Sequence, residues 1–312
     1  MRNSKNKFDW TLFKYSHKDS ILPSFMFRIL LFLPLAALLI ACGDRANDSN
    51  TLLDALTFHA SFNNGPDADF AKGDPTMYTL VARNPERIED GLPSEARLIP
   101  GGRFGDHITF NTPEGVSGTR AFFKLPHNFE HQKSDWAGTI SFWIKVSPDE
   151  DLRPGYTDPI QLTPRSALDG CLWVDFSLDA HRVFRMGAFP DKEYWNPENK
   201  PNKEISDTER PLIPLVDPPF SRDHWSHVVM TIQGFNNPGK NGVAKLYIDG
   251  KLHDTLTGWE QIYTWNLDEA QIRLGVNYIG ALDEISCFNR ELTAAEIRRL
   301  FELEEGITAL LK

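Results

Sequence analysis

The chain has 312 residues, 41% of them hydrophobic and 24% charged, the balance of one large globular domain or two small ones with enough apolar residues for a sizeable core. Its formal charge is −10; six of the 33 basic and two of the 43 acidic residues precede Cys42, so the remainder of the chain carries −14. A surface that acidic repels phosphate backbones, and nucleic acid is excluded as an expected partner.

In chain order, the first feature is Arg28 followed by the apolar run Ile29 to Ala41. That run is too short to cross about 30 Å of hydrocarbon as a helix and reads as the apolar region of a signal peptide. Leu39-Ile40-Ala41-Cys42 resembles the bacterial lipobox, with Cys42 where the run stops and the polar "GDRANDSN" begins. The resemblance implies lipidation of Cys42 and an exported, membrane-anchored lipoprotein, at the periplasmic face or the cell surface. The competing reading is an ordinary signal peptide, or one anchor helix, with an incidental Cys. Met26 opens a signal of more usual length, so residues 1–25 are expected to be untranslated. The organisation is then a signal peptide (1–42), a polar tether (43–54), one domain (55–304) and a short tail (305–312).

Short alternating runs broken by Gly, Pro, Asn and Asp fill residues 52–288, the pattern of an all-β fold. The clearest strands are "ALTFHASF", "HITF", "GTISFWIKV", "CLWVDFSL", "HVVMTI", "VAKLYIDG" and "ALDEISCF". Asp249-Gly250 between alternating flanks predicts a type I′ hairpin, whose two central residues need positive φ. Thr293-Ala-Ala-Glu296 is a capping box ahead of Ile297, Leu300, Phe301 and Leu303, predicting an amphipathic helix over 293–304. The proline-rich stretch 189–222 is too long for a bare connector and is expected to be a lid over a binding surface or a strap over a sheet edge. In "CLWVDFSL" Leu172, Val174, Phe176 and Leu178 share the apolar face, which leaves Cys171 with Trp173 and Asp175 on the other, whereas Cys287 has the core phase of Ile285. Two free thiols are expected rather than a disulfide.

"GRFGDHITF", "GTISFWIKV", "HWSHVVMTI", "AKLYIDGKL" and "IGALDEISCFNRELTAAEI" resemble, in order, the strand signatures of LamG-like domains of the concanavalin A-like lectin/glucanase superfamily. The likeness spans about residues 56–301 and departs from the usual pattern at 189–222. It implies a jelly roll of two stacked antiparallel sheets with a short C-terminal helix, whose concave sheet binds carbohydrate in many relatives. It also places Asp283-Glu284 in the last strand beside the first. Successive strand residues point to opposite faces, so the two carboxylates are not expected to converge. In several branches a carboxylate there helps hold a structural calcium ion, which implies Asp283 with Asn63, Asp67 and Asp69; the competing reading pairs Asp283 with Arg290 or with backbone donors.

No catalytic arrangement is read from the chain. Retaining glucanases of this architecture space two carboxylates along one strand, and no such run occurs. "SPDEDL" (147–152) reads as a solvated loop, and the strand motifs of alginate lyases are missing. "HNFEH" (127–131) fits an inverted zinc-peptidase spacing, but Pro126 and a strand beginning within ten residues leave no room for the helix that motif needs. His224 and His227 face opposite ways in a strand and are not a ligand pair.

Chemistry is therefore sought among the aromatics. Trp143 and Trp173 both leave their strands' core phase. Trp173, Asp175 and Arg185 are predicted to form a glycan platform, stacking on sugar C–H faces and bonding hydroxyls, with Trp143, Tyr194 and Trp195 as further candidates. The competing reading buries these side chains under the long segment or the helix. The expected function is a non-catalytic glycan-binding module. The alternatives are a hydrolase or lyase with an atypical site under 189–222, and an envelope structural or adhesion protein with a protein partner, which burial of Trp173 would favour.

Overall fold

The computed structural model describes residues 52–83, 86–112, 120–239 and 241–311; the expected signal peptide, Cys42 and most of the tether lie outside them. The strands are β1 (Leu56–Ala60), β2 (Phe70–Ala71), β3 (Tyr78–Arg83), β4 (Glu86–Asp90), β5 (Ala96–Pro100), β6 (Asp106–Asn111), β7 (Arg120–Lys124), β8 (Trp136–Lys145), β9 (Thr157–Thr163), β10 (Cys171–Phe176), β11 (Phe184–Phe189), β12 (Leu212–Leu215), β13 (Ser226–Phe235), β14 (Val243–Ile248), β15 (Lys251–Leu256), β16 (Gln271–Val276) and β17 (Ile279–Phe288). They form two antiparallel sheets. A nine-stranded sheet runs β15-β14-β13-β8-β17-β1-β2, with β6 on β17 and β5 on β6; an eight-stranded sheet runs β12-β11-β10-β9-β16-β7-β3-β4. The sandwich and its short C-terminal helix are those the sequence pattern implied.

The core lies between the sheets, filled from the alternate positions that period 2 sends inward. β8 gives Ile140, Phe142 and Ile144; β13 gives Val228, Met230 and Ile232; β10 gives Leu172, Val174 and Phe176. Leu178, assigned to the same face from its phase, falls beyond the end of β10 and is exposed. Asp249 and Gly250 turn β14 into β15 with φ of 49° and 74°, as the hairpin requires. The helix Ala294–Glu302 begins at a complete Thr293–Glu296 capping box.

Two further apolar clusters lie outside the sheets. Leu292, Ile297 and Leu300 pack with Val229 and Tyr247 on the outer face of the nine-stranded sheet. Trp195, Ile205 and Leu212, all from the proline-rich segment, pack with Cys171, Trp173 and Phe189 on the outer face of the eight-stranded one. That segment adds β12 to the edge beside β11, so it is a strap. Cys171 belongs to this outer cluster and Cys287 to the core, and both are free.

The alternation fails once where it matters. Leu282 and Ile285 both reach the core although they are three apart, because β17 bulges between Asp283 and Ser286 and Glu284 adopts φ 52°. At this bulge β17 exchanges its edge partner, β6 pairing with Ile279 to Leu282 and β1 with Ile285 to Phe288. The expectation that Asp283 and Glu284 face opposite ways is corrected accordingly: an extra residue between two inward positions leaves both off the core face.

Candidate functional site

The outer face of the eight-stranded sheet is built from residues paired directly across neighbouring strands, which share a face. Gly187 of β11 lies opposite Trp173 of β10, Trp173 opposite Gln161 of β9, Gln161 opposite Arg273 of β16, Arg273 opposite Phe122 of β7, and Phe122 opposite Tyr78 of β3. One step along, Asp175 lies opposite Arg185. The sheet therefore carries a transverse row of aromatic, amide and guanidinium groups.

The strap closes the row at its Trp173 end. Trp173 is 3% exposed, stacks on Phe189 at 5.3 Å between ring centroids and donates its Nε1–H to the Ala167 carbonyl at 2.7 Å. The indole lies over Gly187, where any Cβ would collide with the ring. Trp195 meets Phe189 edge-on at 4.9 Å and donates to the Leu168 carbonyl. The predicted open platform is thus corrected: Trp173 and Trp195 are packed with Phe189 under the strap, since period 2 says which face a side chain takes and not what covers it. Tyr194 stays at the strap surface.

Trp143 is also enclosed, on the other sheet. It stacks between His227 (4.9 Å) and Phe301 of the C-terminal helix (5.7 Å), and the Arg103 guanidinium lies 4.7 Å from its ring centroid. Burial, with the nearby Arg103 charge, lowers the His227 pKa to about 3, so the imidazole is neutral. It lies 2.8 Å from Ser141 Oγ. This stack attaches the helix.

Asp175 and Arg185 do come together as predicted, in a buried bidentate pair. Arg185 Nε donates to Asp175 Oδ1 at 2.8 Å, Nη2 to Oδ2 at 2.5 Å, and Nη1 to Asp207 Oδ2 of the strap at 2.8 Å. The guanidinium also sits 4.9 Å from the ring centroid of Tyr156, which is 41% exposed. Beside them Gln161 Nε2 donates to Asp158 Oδ2. The Asp158 carboxyl reaches this neighbourhood because β9 is irregular: the three steps from Thr157 to Ile160 are set against two from Phe176 to Val174. Burial pushes the Asp158 pKa up to about 8, reinforced by the Asp175 charge.

Tyr156, Asp158, Gln161, Arg273, Phe122 and Tyr78 were not singled out from the sequence. A signal existed in "TDPIQLT", where Ile160 and Leu162 alternate with Gln161 and Thr163, but Pro159 argues against a central strand. As placed, Tyr156 is exposed and can stack a sugar ring, whereas Gln161, Arg273, Arg185 and Phe122 are buried. Asp175 gives both oxygens to Arg185, which leaves it ill-suited as a base.

The acidic residues near the sheet junction serve the backbone. Asp283 Oδ2 accepts from Arg103 N at 2.6 Å and Phe104 N at 3.3 Å. Asn63 bridges Phe104 O and Asp106 N, Asp67 accepts from Met77 N, and Asp69 accepts from Ser61 N. Calcium needs about six to eight oxygens converging on one point, and among the described residues no three His, Cys, Asp or Glu side chains are grouped to hold a metal ion. The set Asp283, Asn63, Asp67 and Asp69 does not fit the ion. Arg290 pairs with Glu296 at 2.5 Å; backbone donors hold Asp283.

The decoys resolve similarly. In "HNFEH" His127 takes φ 63° and His131 Nε2 lies 2.8 Å from the Tyr263 carbonyl, with no helix between them. Pro148–Asp151 is a one-turn helix rather than a plain loop, and Arg222 Nη2 pairs with its Asp151 at 2.6 Å.

The family profile described as the concanavalin A-like lectin/glucanases superfamily matches residues 117–298. The chain belongs to that superfamily. This superfamily member is similar to domain 4 of the extracellular arabinanase AbnA from Geobacillus stearothermophilus, solved in complex with arabinotriose: 17% identity over 79% of this chain and 98% of that domain, TM-score 0.48. It is similar to botulinum neurotoxin type C, whose cell entry depends on two ganglioside molecules (17% identity, 85% of this chain, 53% of that one, TM-score 0.49). It is also similar to the binding domain of Paraclostridial mosquitocidal protein 1 (18%, 80% and 52%, TM-score 0.46); the chain spans about half the length of these two toxin structures. No curated protein matches the sequence.

Proposed function

We propose that this superfamily member is a non-catalytic glycan-binding module, anchored to a bacterial membrane by lipid on Cys42. The observation that supports it is the outer face of the eight-stranded sheet. On a lectin/glucanase fold this face carries a cross-strand row of arginine, glutamine and aromatic side chains, with Tyr156 41% exposed beside a buried Arg185–Asp175 pair. Tyr156 takes the stacking role expected of Trp173. The lipobox at Leu39 to Cys42 supports the anchor, and Cys42→Ser should move the protein from the membrane fraction to the soluble one.

The test is depletion of the full chain from solution by a panel of insoluble polysaccharides, with supernatants assayed for new reducing ends. Retention without release, weakened in Tyr156→Ala, supports the reading. Release of reducing ends replaces it with an enzyme. A second reading, an envelope module that contacts protein, is favoured by the burial of Trp173 under the strap; it takes over if no polysaccharide retains the chain.

A further inference from the structure

The outer face of the nine-stranded sheet carries a transverse row of its own. Arg97 of β5 lies opposite Thr109 of β6, Thr109 opposite Ala281 of β17, and Ala281 opposite Lys145 of β8. Ser226 lies opposite Ile144, so Trp225, just before β13, continues the row beside Lys145. The adjoining row holds Trp143 and His227 beneath Phe301 of the C-terminal helix. This one is open, with Arg97 exposed and Lys145 and Trp225 part-buried. Small side chains occupy its middle, and across them His107, the next residue on that face of β6, meets the Trp225 ring edge-on at 5.1 Å between centroids. The Lys145 ammonium stands 5.8 Å from the centroid of the same indole. An aromatic platform thus lies in a row that carries two cations, their Cα atoms about 14 Å apart across three strand intervals.

Neither cation is engaged by the protein. Arg97 and Lys145 form no ion pair among the described residues, although the chain after Cys42 carries −14. Glu95, the neighbouring acid on the Arg97 face, gives a carboxylate oxygen to Ser94 Oγ at 2.9 Å. Asp283 is taken up by the backbone N–H groups of Arg103 and Phe104. Asp106 has the phase of the core residue Ile108 and belongs to the other face. His107 is 7% exposed, and its imidazole makes no hydrogen bond among the described residues, with Nδ1 fully buried. Free cations beside an aromatic face, on an otherwise anionic protein, complement a ligand that brings both negative charge and flat C–H faces.

We propose that this row binds an acidic polysaccharide, with its carboxylate or sulfate oxygens on Arg97 and Lys145 and a sugar ring stacked on Trp225. Arg97 can grip such a group with two parallel N–H donors, whereas Lys145 acts as a point charge. A sheet face presents its groups along a line, which suits an extended chain more than a compact solute. The row lies on the sheet opposite to Tyr156 and does not depend on the reading given to that face.

The experiment titrates the full chain with soluble polygalacturonate, dextran sulfate and neutral dextran. Either polyanion should bind more tightly than dextran, and the one that binds names the anionic group. Arg97→Ala, Lys145→Ala and Trp225→Ala should each weaken that binding about three- to tenfold, the first two with an unchanged melting temperature. Lys203→Ala with Lys251→Ala removes as much charge as the two cation variants together, from exposed positions on the strap and β15, and should leave binding as it was. Equal weakening there would mean general charge attraction and overturns the proposal. So does equal affinity for dextran, no binding of either polyanion, or binding to phosphatidylglycerol vesicles alone. Tyr156→Ala should bind the polyanions like the unsubstituted chain; a loss there moves the ligand to the eight-stranded sheet and also overturns the row. Retention on insoluble polysaccharide that Tyr156→Ala abolishes concerns only the other face, so the two readings fail separately.

Discussion

Leu282 and Ile285 stand three positions apart in one strand and face the same core. The residue inserted between inward positions leaves Asp283 and Glu284 buried at the junction of three strands, where Glu284 Oε2 accepts the Ile307 N–H at 3.1 Å and lies 3.7 Å from His59 Nε2. Burial pushes the Asp283 pKa up to about 7; burial and the adjoining Asp283 charge push Glu284 up to about 8. The native state therefore retains protons that the unfolded chain loses near pH 4 to 4.5, as ordinary carboxyls do (about 4). Stability gained by this route is full below the unfolded value and is lost as pH rises to about 8. Melting temperature should be lower at about pH 8.5 than at about pH 6.5. Glu284→Gln should reduce that difference, and an unchanged difference would mean the carboxyl is ionised throughout.

The strap makes a contrast between two aromatics of one face. Trp173 is buried against Phe189 and Gly187 while Tyr156 is exposed. Trp173→Ala opens a cavity under the strap and should cost about 3–5 kcal/mol, with faster amide exchange concentrated in residues 192–212. Tyr156→Ala should change stability by no more than about 0.5 kcal/mol and yet weaken polysaccharide retention. Denaturation curves read against pull-down yields separate the two; a stable Trp173→Ala protein that has lost binding would restore Trp173 to the site.

Why one of these residues was visible in the sequence and the other was not is a matter of range. Strands such as β8, β10 and β13 announce themselves because their alternation is local and unbroken, and the hairpin and capping box are local turn chemistry. Trp173 was correctly sent to the outer face by phase alone, but the strap that covers it comes from residues up to Leu212, and no local period encodes that contact. Asp158 was missed for the opposite reason, since Pro159 and the β9 irregularity break the local pattern at the very point where the carboxyl turns outward. The same holds at Asp283-Glu284, where strict alternation gave the wrong face because β17 bulges at the point where its edge partner changes from β6 to β1.

Metal dependence gives a third expectation. Asp283, Asp67 and Asp69 each take a backbone N–H as partner, so the loops they hold are satisfied by hydrogen bonds, each contributing on the order of 1.5–3 kcal/mol when the acceptor is charged. Chelator and added calcium should leave the melting temperature of the chain unchanged. A rise with calcium that chelator reverses would show that the loop oxygens rearrange around the ion.

The Arg185 network provides the last. Asp175 and Arg185 are 5% and 3% exposed, and the side chain of Asp207 is 47% exposed. Asp175→Ala removes two of the three hydrogen bonds to the buried guanidinium and leaves it only the half-exposed Asp207, so it should cost about 3–5 kcal/mol. Asp207→Ala breaks a pair that water screens and should cost less than about 1 kcal/mol. Replacing both buried partners together, as Asp175→Leu with Arg185→Met, should be far milder than Asp175→Ala, because no charge is left buried. Urea denaturation of the three variants reads this order directly. If Asp207→Ala proved as costly as Asp175→Ala, the strap ion pair, rather than the pair within the sheet, would be what fixes the Arg185 guanidinium beneath Tyr156.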